Sequence, residues 1–128
     1  MTRRWAVTLP QPFNRRVDEG SLVFWRPGIT VWTVVWGNDN AQSQQERLEW
    51  LRGDTSPEAF DGESVIDGDI ARYSYRLTER RGEGLVHALY AFAIGVEGHV
   101  QMVIYCDEVS NLETARAIYR SLEETRAA

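Results

Sequence analysis

The chain has 128 residues, 43% hydrophobic, 26% charged and 11% aromatic, the usage of one globular domain and not of a disordered or fibrous chain. A chain of this length hides roughly two thirds of its unfolded surface, enough for a core without a metal or disulfide scaffold. Fourteen basic against nineteen acidic residues leave a net charge of −5, which argues against nucleic acid or an anionic membrane as partner, since either needs a positive binding face.

Every basic residue is arginine. Without lysine there is no Walker-type phosphate loop, no Schiff-base nucleophile and no Ser-x-x-Lys catalyst. A single cysteine, Cys106, excludes an internal disulfide and a thiolate zinc cage, and two histidines, His87 and His99, leave little for metal catalysis. No metal or other cofactor is expected. The start carries Arg3-Arg4 with no apolar run behind it, and the longest apolar stretch, Leu85 to Val96, falls short of the roughly 20 residues that span a bilayer. No membrane insertion and a cytoplasmic location are therefore expected.

Taken in chain order, the alternation of Trp5, Val7 and Leu9 predicts a half-buried strand closed by Pro10. After the turn Asp18-Glu19-Gly20, a second strand runs from Ser21 to Arg26. Pro27-Gly28 fits a type II turn, with proline fixing φ and glycine supplying the positive φ that follows. Ile29 to Trp36 is apolar on both faces and reads as a central strand covered on both sides, broken at Gly37-Asn38-Asp39-Asn40. Ser43 with Glu46 forms a capping box for a helix striped by Leu48, Trp50 and Leu51 and stopped by Gly53.

Asp54 to Asp69 holds Pro57, Gly62, Gly68 and the acidic residues Asp54, Glu58, Asp61, Glu63, Asp67 and Asp69. It reads as a loop with one helical turn at Pro57 to Phe60. Three strands follow, Ile70 to Glu79, Leu85 to Ile94 and His99 to Cys106, separated by Arg80 to Gly84 and by Gly95 to Gly98. Ser110 with Glu113 starts a closing helix striped by Leu112, Ala115, Ile118 and Leu122, with Glu113, Arg116, Arg120 and Glu124 outside at pairing distance. The expected fold is a single α+β domain over residues 1–128. Its mainly antiparallel sheet has about six strands, in the element order β-β-β-α-β-β-β-α, flanked by two helices as an α/β/α sandwich.

Strand phase decides the faces, because a one-residue slip turns every side chain over. Pairing Tyr73 with Tyr90 and Phe92 with Met102 places Tyr73, Tyr75, Phe92, Ile94, Ile104 and Cys106 on one apolar face. Arg72, Arg76, His87, Gln101 and Tyr105 then share the other. Cys106, flanked by Asp107 and Glu108, reads as a buried inert thiol, since carboxylates oppose thiolate formation and the phase keeps His87 away. His99, at a hairpin end, reads as solvated. The acidic stretch lacks EF-hand spacing and reads as a solvated turn region.

Five tryptophans exceed what a core of this size needs. Trp32 and Trp36 share one face of their strand. Together with Arg72, Arg76, His87, Gln101 and Tyr105 they form the expected partner-binding surface, apolar walls with polar anchors, for a protein or an apolar peptide segment. The rival reading is a small anionic-ligand-binding protein or enzyme using His87 with Arg72 and Arg76. A third makes the exposed face a homodimer interface.

The start Trp5-x-Val7-x-Leu9-Pro10-x-Pro12-Phe13, a strand pair about Pro27-Gly28, the meander from Tyr73 to Ile104 and the helix from Ala115 to Leu122 resemble the PsbP/DcrB-like family over most of the chain. The resemblance implies an antiparallel sheet flanked by helices, and binding without catalysis. Members include a Ran-binding nuclear transport factor, extrinsic photosystem II subunits and adaptor chaperones that hold apolar effector segments for type VI secretion. The adaptor chaperones suit a small acidic chain best. No catalytic residue carries over, and residues 54–69 have no counterpart in the family pattern.

Overall fold

Short glycine turns between long apolar runs favour hairpins, and hairpins build this molecule. The computed structural model describes residues 3–9, 12–18, 21–37, 43–95 and 98–126. The breaks expected at Pro10, Glu19-Gly20 and Asn38 to Asn40, the tip Val96-Glu97 and the side chain of Glu124 lie outside the described residues. The elements are β1 (Arg3–Ala6), β2 (Asn14–Asp18), β3 (Ser21–Arg26), β4 (Ile29–Gly37), α1 (Gln44–Gly53), β5 (Phe60–Asp67), β6 (Ile70–Arg81), β7 (Gly84–Ile94), β8 (Gly98–Cys106), α2 (Leu112–Arg120) and β9 (Glu123–Arg126). Seven strands form one antiparallel sheet in the order β2-β3-β4-β8-β7-β6-β5, and β1 pairs with β9 in a separate ribbon.

Local chemistry sets several of these boundaries. Gly28, at φ +86°, supplies the positive φ that the β3–β4 turn requires, and a Cβ there would stand 3.0 Å from the Asn111 side-chain nitrogen. The capping box of α1 is complete: the Glu46 amide donates to Ser43 Oγ and the Ser43 amide to Glu46 Oε1, each at 3.1 Å. Gly53 is the last helical residue instead of the residue beyond it, and Asp54 takes the cap.

The chain adds β2, β5 and β9 to the expected element order, so the sheet has seven strands instead of about six. Four further expectations are corrected. Residues 60–67 form a strand and not a loop. β5 covers the outer edge of the twelve-residue β6, and because all its residues stay exposed, it carries no alternation to read. A bulge between Phe60 and Glu63, with Asp61 at φ +57°, lets it bend. The second capping box does not form: a 3-10 turn, Val109–Asn111, leads into α2, whose N-cap is Asn111 without a side-chain bond. α2 ends at Arg120, because β9 departs at Glu123 to pair with β1. On α1, Trp50 points outward at 61% exposure, and Arg47 takes the buried position beside Leu48 and Leu51.

The sheet divides two apolar layers, the expected α/β/α arrangement. On one side, α2 buries Leu112, Ala115 and Ile118 against Leu89, Ala91, Met102 and Ile104. On the other, α1 buries Leu48 and Leu51 against Ala71, Tyr75, Phe92 and Ile94. Trp5, Val7 and Leu9 pack on the α2 layer as their alternation anticipates, although the strand itself ends at Ala6. Ile104 is fully buried between strands and helix. Ile104→Ala is therefore expected to cost about 2–5 kcal/mol, read as a lower denaturant midpoint at unchanged slope. Ile66→Ala, at an exposed position of β5, is expected to stay within about 0.5 kcal/mol of wild type. Equal losses at the two positions would contradict this placement of the core.

Candidate functional site

The β7–β8 hairpin decides which candidate residues meet. Gly95 donates to the Gly98 carbonyl at 2.8 Å, and Ile94 pairs with His99, leaving two residues at the tip. Phe92 consequently opposes Gln101, not Met102. The β6–β7 faces agree with the sequence reading, although the register lies two residues away, with Tyr73 on Phe92 instead of Tyr90 and Tyr75 on Tyr90; the β7–β8 phase is shifted by one residue. The expected seven-residue surface therefore splits in two. Trp32, Trp36, Gln101 and Tyr105 share the α1 face, whereas Arg72, Arg76 and His87 lie on the α2 face.

On the α1 face, the helix packs over β6 and β7, and the β3–β4–β8 part carries Trp25, Trp32, Val34, Trp36, Val103 and Tyr105, none of them fully buried. Trp32 opposes Val103 and Trp36 opposes His99. Trp36 is 50% exposed and stacks on the His99 ring at 6.0 Å with 13° between planes. The Arg16 guanidinium lies 5.4 Å from the Trp25 ring centre. Toward β6 the aromatic surface continues through Tyr90, stacked on Tyr75 at 5.3 Å and donating to Glu79 Oε2 at 2.7 Å. Burial raises the Tyr90 phenol, and the hydrogen bond to Glu79 adds to it.

On the α2 face, the arginines are structural ties. Arg72 is 8% exposed and donates to the carbonyls of Leu122 at 2.7 Å and Tyr119 at 3.3 Å, closing the C-terminal end of α2. Its Nε stands 3.6 Å from Asp67. Arg76 lies 3.7 Å from Asp61 and 4.8 Å from the centre of the Phe60 ring. Asp61 also takes Arg116 at 3.0 Å, and Glu63 takes Arg120 at 3.4 Å. Asp61, Glu63 and Asp67 of the acidic stretch thus pair with arginines of β6 and α2, and Arg116 and Arg120 of α2 reach across to β5. Among the described residues no cluster of His, Cys, Asp and Glu could hold a metal ion. A cavity of about 230 Å³ beside Arg72 is walled by both signs, with Glu63 and Asp67 facing Arg72 and Arg120, so an anion there would compete with carboxylates already in place.

His87 and Cys106, expected on opposite faces, are direct cross-strand partners. The same one-residue shift is the cause. The thiol is nonetheless fully buried, and its pKa is pushed up to about 11 by burial first and by Asp107 second, with Arg76 acting the other way. It is protonated at neutral pH, the wrong form for a nucleophile.

His99 is 6% exposed instead of solvated, its ring stacked on Trp36. Burial, with the Arg47 charge second, brings its pKa down to about 4 from the ordinary 6.5. The folded protein keeps this imidazole neutral while the unfolded chain protonates below pH 6.5, so stability is full above that pH and falls as pH drops toward 4. At about 1.4 kcal/mol per unit the loss reaches the order of 3 kcal/mol. Urea midpoints measured across this window are expected to fall less steeply in His99→Gln than in wild type; parallel profiles would contradict the buried neutral histidine.

No protein-family model matches the chain, and no curated protein matches it. Among solved structures, the chain is similar to LpqN, involved in cell envelope biogenesis of Mycobacterium tuberculosis, with a TM-score of 0.64 and 10% sequence identity over 98% of this chain and 85% of LpqN. At that identity the likeness shows the fold alone: a single α+β domain on an antiparallel sheet. No helix among the described residues is long and apolar enough to cross a membrane.

Proposed function

We propose that the chain is a non-enzymatic binding module that receives a protein or an apolar peptide segment on the β3–β4–β8 part of its α1 face. The observation that carries this reading is the run of aromatic side chains left partly exposed there, with Trp36 half open and Trp32 beside it on the same strand face. Tryptophans in such positions dominate binding energy because they bury a large rigid surface at little entropic cost. Gln101 and Tyr105, on the neighbouring strand, supply hydrogen-bonding groups within the apolar surround. The buried protonated thiol and the internally paired arginines support binding over catalysis.

An adaptor chaperone acting in the cytoplasm, as the PsbP/DcrB-like resemblance implies, is the form of this reading we favour. The likeness to LpqN is compatible with a binding module and carries no ligand across. Arg72, Arg76 and His87 drop out of the partner surface, since they lie on the other face.

Titrating a panel of short apolar peptides and following tryptophan fluorescence tests the site. A saturable change is expected in wild type, weakened at least tenfold in Trp32→Ala/Trp36→Ala, roughly the worth of one hot spot. Trp50→Ala, on the outer side of α1, should bind as wild type does. An unresponsive wild type, or an undiminished response in the double variant, would count against this face. A mass that rises with concentration in sedimentation, and is restored to the monomer by the double variant, would reassign it to self-association.

A further inference from the structure

On the other side of the sheet from Trp32 and Trp36, a cavity of about 190 Å³ opens between the N-terminal segment and β3, β4 and β8. Trp5, Leu22, Phe24, Val35 and Val100 contribute to its wall, and among the described residues no charged side chain does. Among the described residues of that wall, Thr33 alone carries a hydroxyl. On the same face of β4 the other side chains read Ile29, Val31 and Val35. Thr33 is 9% exposed, and its Oγ1 makes no hydrogen bond. A hydroxyl left without a partner in an apolar wall is a cost that a valine of the same shape would remove.

We propose that this cavity binds a small neutral molecule, a hydrocarbon ring or short alkyl chain bearing one hydroxyl or carbonyl, and that Thr33 recognises the polar group. Three features fix this class. An ionised group would be desolvated with no counter-charge among the described residues of the wall. An apolar cavity of roughly 150 Å³ admits benzene, so this one takes a ring with one or two small substituents. The third is the hydroxyl itself: a change of χ1 rotamer exchanges it with the methyl of the same side chain and brings it to the ligand.

Calorimetric titration with p-cresol, toluene and 4-methylbenzoate tests the proposal. Wild type should bind p-cresol saturably, toluene roughly three- to tenfold more weakly, the worth of one hydrogen bond, and 4-methylbenzoate not at all. Thr33→Val should fold and equalise p-cresol and toluene. Val35→Arg, at an already exposed position of the wall, should abolish binding of both. Trp32→Ala/Trp36→Ala should bind p-cresol as wild type does, which separates this site from the aromatic face. Absence of p-cresol binding to the folded wild type, or undiminished binding in Val35→Arg, would overturn the proposal. A p-cresol preference surviving in Thr33→Val would remove Thr33 from it.

Discussion

The constraint on which the rest depends is the register of the β7–β8 hairpin. With Gly95 bonded to Gly98 and two residues between them, every paired position on these strands sums to an odd number. β8 is the middle strand of the sheet, so its phase propagates through β4 to β3 and β2. Trp32 and Trp36 are thereby placed beside Val103 and His99, on the side of α1. Met102 and Ile104 are placed under α2 with Leu89 and Ala91. A slip by one residue would exchange the aromatic surface for the helix-covered core.

The second organising feature is charge used internally. Arg72 closes the last carbonyls of α2, and Arg76, Arg116 and Arg120 meet carboxylates of β5. An edge strand with every residue exposed has little apolar area to hold it in place. Ladder hydrogen bonds to β6 and these cross-links supply what burial does not, and the exposed pairs among them each contribute only modestly. The same pairing takes the arginines away from any external anion.

Much of the fold was legible where local chemistry and burial agree. Ser43 with Glu46, Pro27-Gly28 and the three long strands after residue 70 each carry a signal that the structure repeats. β5 was not legible, because a solvated edge strand rich in Asp, Glu and Gly has the composition of a turn. Leu122 continues the stripe of α2 at helical spacing but lies past its end, since β9 is recruited by β1 from far along the chain. The faces were misread for a definite reason: from Ala88 to Ile94 every residue of β7 is apolar, so alternation favours neither phase. Glycines flanking two residues at 95 and 98 were the signal that could have settled it. His87 and Cys106 were parted for the same reason.

The register itself is open to direct measurement by cross-strand NOEs between backbone protons of the β7–β8 hairpin in solution. Contacts linking Phe92 with Gln101 and Ala91 with Met102 are the expected result. Contacts linking Phe92 with Met102 would contradict it, and with it the placement of Trp32 and Trp36 on an aromatic face apart from Arg72, Arg76 and His87.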